Sequence, residues 1–305
     1  MNHIQRYLVD EVVVDYSDGI IDRREALRQL GLLGVATVTA LGLLAACDAE
    51  GSGQPSTTTS PTTAPATAAA TGPAGPAPTS TAAITFASAD GRTVQGAYAA
   101  PSAPRASVLV VHENRGLTDH IRSVAGRLAT TGYAALAVDL LSAEGGTASF
   151  SDPAQATAAL NVASVERFVA DMRAAITELL RRNPTLKVGA LGFCFGGGMM
   201  WSLLAAGEPR LGAVAPFYGP MPSGANFAGS PNAAVLGVYA ELDGRVNASR
   251  SAAEAALKAA NLTHEIVTYP GVDHAFFNDT GTRYNAAAAA AVYQKLTSWF
   301  DQHLV

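Results

Sequence analysis

Lys187-Val188-Gly189-Ala190-Leu191-Gly192-Phe193-Cys194-Phe195-Gly196-Gly197-Gly198-Met199-Met200-Trp201-Ser202-Leu203-Leu204 is the stretch on which the reading of the whole chain turns. A short apolar run, 187–192, passes directly into a glycine-flanked cysteine and then into a helical pattern. G-x-C-x-G at a strand-to-helix junction holds its central side chain on a sharp turn, the device that presents a nucleophile at the end of a sheet. The glycines are a steric requirement, because a side chain at Gly192 or Gly196 would collide with neighbouring backbone. A helix starting beyond Cys194 adds amides and a positive dipole end, which favour thiolate and oxyanion alike. The competing reading is a buried, inert cysteine beside a packing turn, and residues elsewhere must decide between the two.

Outward from this stretch, β-rich runs occur at 83–88, 93–99, 107–112, 134–139, 187–192, 211–217, 235–240 and 264–269. Helical patterns lie between most of them, at 119–131, 154–182, 197–206, 248–260 and 284–303. Strands alternating with helices predict an α/β fold with a mostly parallel, doubly wound sheet covered on both faces. Ala89-Asp90-Gly91-Arg92 is a turn signal, so the first two strands form an N-terminal antiparallel hairpin. Ligands of such sheets bind at the carboxyl ends of the strands.

The chain has 305 residues, 49% of them hydrophobic, enough for one sizeable core with a tail besides. Twenty Lys and Arg stand against 25 Asp and Glu, a formal charge of −5 with no basic run, which argues against a nucleic-acid partner. The two cysteines, Cys47 and Cys194, sit in such different surroundings that a disulfide is not expected.

The first 47 residues read as a targeting segment. Arg23-Arg24 precedes the uncharged apolar run from Leu30 to Ala46, the pattern of a twin-arginine export signal. That run ends in Leu44-Ala45-Ala46-Cys47, which resembles a lipoprotein lipobox with Cys47 as the lipid acceptor; a plain N-terminal membrane helix is the alternative. Either version places the remainder outside the cytoplasmic membrane, exported and tethered at its outer side. Residues 48–80 are Ser, Thr, Pro, Ala and Gly with almost no charge and no large apolar residue, so a disordered linker is expected there, followed by the folded domain over 81–305.

A cysteine nucleophile needs a base, and the base needs an orienting carboxylate. Of six histidines, His3 falls in the leader, His303 in the tail, and His264 at the far end of a strand. His274, in Tyr269-Pro270-Gly271-Val272-Asp273-His274-Ala275-Phe276, directly follows the last strand. Asp243 follows the penultimate strand, with Glu241 as the alternative acid, while Asp139 precedes the nucleophile and reads as structural. The order Cys194, Asp243, His274 is that of an α/β-hydrolase.

On these residues the sequence from about Ala82 onward resembles the dienelactone hydrolase family. The resemblance implies an α/β-hydrolase fold and a Cys-Asp-His triad at Cys194, Asp243 and His274. It implies as well a glutamate after an early strand, matched by Glu113 in Val108-Leu109-Val110-Val111-His112-Glu113-Asn114-Arg115-Gly116, which bonds the resting thiol. The oxyanion hole falls to the amides of Phe195 and Asn114, and Arg115, His120, Phe277 and Arg283 are candidates for the substrate pocket. The implied substrate is a small ester or lactone, cleaved through an acyl-thioester; no metal cluster is found in the sequence and no cofactor is required. A non-catalytic, membrane-tethered ligand-binding lipoprotein on the same fold is the alternative, and a thiol redox protein is disfavoured because no second cysteine is placed to resolve it.

Overall fold

The computed structural model describes residues 3–50, 72 and 74–305. It divides into two compact units, Met1–Thr71 and Gly72–Val305. Most of the expected linker, residues 51–71 and 73, lies outside the described residues, as does the side chain of Cys47.

Among its described residues the first unit holds three helices, α1 (His3–Ser17), α2 (Arg23–Leu32) and α3 (Thr37–Glu50). Asp22 caps α2 by accepting a hydrogen bond from the Glu25 amide at 2.8 Å. The apolar run 30–46 is not one helix, which corrects the expectation of a single N-terminal membrane helix. Gly34 takes φ +78°, its amide donates to the Gly31 carbonyl and that of Val35 to the Leu30 carbonyl, so a glycine-terminated cap ends α2 inside the run. Among the described residues no helix is long and apolar enough to cross a membrane.

The second unit is built on an eight-stranded sheet. Its elements follow in the order β1 (Ala82–Ala87), β2 (Thr93–Ala99), β3 (Ala106–Val111), α4 (Asp119–Thr130), β4 (Tyr133–Asp139), α5 (Pro153–Val162), α6 (Val165–Arg182), β5 (Val188–Phe193), α7 (Phe195–Ala205) and β6 (Leu211–Phe217). β7 (Ala234–Ala240), α8 (Gly244–Asn247), α9 (Arg250–Ala259), β8 (His264–Tyr269) and α10 (Ala286–Leu304) complete it. The strand order is β1-β2-β4-β3-β5-β6-β7-β8. β2 runs antiparallel to both its neighbours, and all other pairs are parallel. β3, β4, β5 and β7 are buried along their whole length, as apolar strands with helices on both faces must be.

Two elements differ from the sequence reading. The single helix expected over 154–182 breaks at Ala163, because Ser164 takes an extended conformation and caps α6 by accepting from the Arg167 amide at 3.2 Å. Residues 74–80, assigned above to the linker, lie against α4. The buried Arg127 donates to the Ala74 carbonyl at 3.0 Å and Thr130 to the Ala77 carbonyl at 3.0 Å, while a Cβ on Gly126 would sit 2.2 Å from the Thr79 carbonyl oxygen.

The carboxyl ends of five neighbouring strands then converge. Glu113 follows β3, Cys194 follows β5, Tyr218 follows β6, Asp243 lies in the turn after β7, and His274 in the loop after β8.

Candidate active site

Cys194 is the single residue between β5 and α7. It is buried and takes φ 57°, ψ −119°, a region that a residue with a side chain adopts only under constraint. The constraint is visible on both sides. Its amide donates to the Phe217 carbonyl at 3.1 Å, and its carbonyl accepts from the Gly198 amide at 3.1 Å. A Cβ at Gly192 would lie 2.3 Å from the Gly196 oxygen, and one at Gly196 would lie 2.5 Å from the Val111 oxygen, so neither position tolerates a side chain. Phe195 opens α7, which leaves its amide without an intrahelical acceptor beside the sulfur.

Asp243 and His274 meet, although 31 positions separate them. His274 Nδ1 lies 2.6 Å from Asp243 Oδ2, and Asp243 Oδ1 accepts from the Val246 amide at 3.1 Å, so the carboxylate is fixed by α8 before it orients the ring. Both side chains are buried. A ring nitrogen of His274 and the Cys194 sulfur lie within 4.8 Å of each other. With Nδ1 on the carboxylate, the orientation of the ring is set by Asp243. Glu241, the alternative acid, is occupied elsewhere, accepting from the Gly271 amide at 2.7 Å. Asp139 accepts from the amides of Leu141 and Thr147, which organises the loop after β4.

Glu113 reaches the same region from β3. Its Oε2 accepts from Asn278 Nδ2 at 2.5 Å, and its buried Oε1 has no hydrogen-bond partner among the described residues. Burial pushes this carboxyl above its ordinary range, against the opposing pull of His120, His274, Asn278 and Arg115. Next to it His112 is structural: Nδ1 donates to the Glu113 carbonyl at 2.6 Å and Nε2 accepts from the Leu140 amide at 3.1 Å, tying the end of β3 to the end of β4. Burial lowers its tendency to protonate.

The other sequence candidates are placed as follows. Asn114 follows Glu113 in the loop after β3, and its carbonyl accepts from Thr157 Oγ1 of α5 at 2.9 Å, which fixes that peptide. Arg115 is exposed, and its charge acts on Glu113. His120 is buried against the edges of Phe193 and Phe277, with Nδ1 at 2.6 Å from Asp279 Oδ1. Phe277 stacks on Phe193, ring centroids 5.1 Å apart. Arg283 faces Asp273, the neighbour of His274, at 4.0 Å.

Four residues at or behind this site were not singled out in the sequence. Asn278 holds Glu113, Asp279 and Arg127 anchor His120 from behind, and Tyr218 meets the His274 ring edge-on with ring centroids 5.1 Å apart. The position of Tyr218 immediately after a strand was the one available signal, because that is where ligands of such sheets bind.

Comparison with known proteins gives the family. The model of the "Dienelactone hydrolase family" matches residues 94–304. An inferred carboxymethylenebutenolidase of Escherichia coli O157:H7 is 35% identical over 214 residues, covering 66% of this chain and 78% of the relative. Another of Saccharolobus solfataricus is 30% identical over 249 residues, covering 70% and 96%. The crystal structure of an inferred dienelactone hydrolase from Klebsiella pneumoniae superposes with a TM-score of 0.64 at 28% identity, covering 74% of this chain and all of that one, 100%. With the family model spanning nearly the whole sheet, from β2 to α10, the chain belongs to the dienelactone hydrolase family.

Proposed function

We propose that this protein hydrolyses a small ester or lactone with Cys194 as nucleophile, His274 as base and then acid, and Asp243 as the carboxylate that orients the imidazole. The observation that carries the reading is the 2.6 Å contact of Asp243 and His274 behind a cysteine whose sulfur lies within 4.8 Å of the same ring. In the first half-reaction the thiol proton passes to His274 and the sulfur attacks the carbonyl carbon. The oxyanion that forms accepts from the Phe195 and Asn114 amides. The carbon–oxygen bond then breaks, the leaving oxygen takes the proton from His274, and an acyl-thioester remains. In the second half, water gives a proton to His274 as it adds to the thioester, the acid departs as sulfur regains its electron pair, and His274 returns the proton to the sulfur.

Glu113 supports the resting state. Held above its usual range by burial, it keeps a proton to higher pH than an exposed glutamate. The full-length protein is expected to hydrolyse p-nitrophenyl acetate and to lose that activity in step with carboxamidomethylation of Cys194 by iodoacetamide, followed by peptide mass spectrometry. Full activity with Cys194 completely alkylated would sink the mechanism, and no hydrolysis of esters or lactones by the unmodified protein would leave only a ligand-binding role.

We propose further that residues 1–47 direct export and that Cys47 carries a lipid. The support is the paired Arg23-Arg24 ahead of the apolar run and the Leu44-Ala45-Ala46-Cys47 sequence that ends it. Cys47→Ser is expected to move the protein from the membrane fraction to the soluble one. Recovery of the wild type itself in the soluble fraction would remove this proposal without touching the catalytic one.

A further inference from the structure

Tyr218 is seated in a way that its packing does not require. It is the first residue after β6, it takes φ 33°, and its amide donates to the Val238 carbonyl at 2.7 Å, so the chain is pinned in a conformation unfavourable for a bulky side chain. The ring is enclosed by Phe193, Phe217 and Phe276 and meets the His274 ring edge-on at 5.1 Å. Its exposure is 0%, yet its hydroxyl has no hydrogen-bond partner among the described residues. Buried tyrosines normally satisfy that hydroxyl. Tyr133 does so with Asp301 at 2.5 Å. A phenylalanine would fill the same enclosure without desolvating an oxygen, so the hydroxyl is retained at a cost in stability that packing does not repay.

The surroundings indicate what it serves. Burial raises the phenol well above its ordinary range, and negative charge on Glu113 and on Cys194 acts in the same direction. The group therefore keeps its proton throughout the physiological range and is a donor, not a base. Its ring meets the imidazole of His274 edge-on, whereas the amide of Phe195 stands at the start of α7. In acyl transfer the imidazole side is where the leaving oxygen departs.

We propose that Tyr218 is a further substrate-contacting residue whose hydroxyl donates a hydrogen bond to the leaving oxygen of the ester or lactone. This rests on the hydrolase reading above. As the bond between carbonyl carbon and leaving oxygen breaks, the electron pair moves onto that oxygen, His274 supplies the proton, and Tyr218 keeps its own. The donor matters most when the departing oxygen is strongly basic, so the preferred substrate class is alkyl esters and saturated lactones, which depart poorly unaided.

The test uses the full chain, wild type and Tyr218→Phe, against a series of acetate esters from p-nitrophenyl to simple alkyl. The loss in kcat/KM is expected to grow along the series, from roughly 3-fold for p-nitrophenyl acetate to roughly 10²-fold or more for an alkyl acetate, the range for removal of one transition-state donor. The rate of Cys194 alkylation by iodoacetamide should stay within about 2-fold of wild type, which a merely structural defect would not allow. 3-Fluorotyrosine at position 218, which restores the hydroxyl in the same shape, should recover the alkyl-ester rate, and it keeps the question open to experiment should the phenylalanine variant fold poorly. A loss of equal size for every leaving group, or none, overturns the assignment while leaving the triad intact. A wild type inactive on the whole series overturns both.

Discussion

Cys194→Ala is expected to lower kcat/KM on a chromogenic acetate ester by at least about 10⁴-fold, since members of a nucleophile–base–acid unit fail together and the residual rate comes from binding and oxyanion donors alone. The substitution should be structurally mild. Alanine removes one sulfur atom and leaves the Cβ, so the turn at φ 57° and the hydrogen bonds of its amide and carbonyl persist. Far-ultraviolet circular dichroism and the thermal midpoint should therefore match those of wild type. His274→Ala should fall to a similar level, and the double variant should be scarcely worse than either single one, because the two residues act on the same proton. Substantial hydrolysis by Cys194→Ala would mean that another group attacks the carbonyl, and strictly additive losses would mean that the two side chains do not cooperate.

The second large effect falls on stability. Asp279 accepts from His120 Nδ1 at 2.6 Å and from Arg127 Nη2 at 2.5 Å, and Arg127 has only 3% of its side chain exposed. Asp279→Asn removes the charge opposite a buried guanidinium, a change that typically costs about 3–5 kcal/mol. For a domain of this size that corresponds to a fall in Tm of roughly 6–20 °C. The pH dependence carries a separate signature. The hydrogen bond from His120, with that from Arg127, holds the Asp279 carboxyl down at about 2, below its ordinary 3.8. A depressed carboxyl stabilises the fold above its unfolded value and loses that contribution as the pH drops through its folded value. The wild type should thus lose stability between pH 4 and pH 2 more steeply than Asp279→Asn, when both are followed by urea denaturation. Parallel acid limbs for the two proteins would show that the carboxylate contributes no such coupling.

How far the sequence could be read depended on whether a feature is local. β3 and β4 were legible because a fully buried parallel strand is a continuous apolar run, and Val108-Leu109-Val110-Val111 is one. The meeting of Asp243 with His274 was legible because chain order and strand ends constrain it. The break between α5 and α6 was missed because hydropathy runs unbroken across Ala163-Ser164, and only the serine's role as a cap betrays it. The division of the apolar run 30–46 escaped for a related reason: a composition window does not register that Gly34 has turned left-handed. Asp279 was invisible as an anchor because its partners lie 159 and 152 positions away. The hydroxyl of Tyr218 was beyond reach in principle, since a missing partner is a property of the packed core and leaves no trace in residue spacing.

Six consecutive residues after β8, 274–279, hold the imidazole, the amide clasping Glu113 and the carboxylate under His120. Lengthening or shortening this stretch by a single position would unfasten all three at once, so it has almost no freedom to drift.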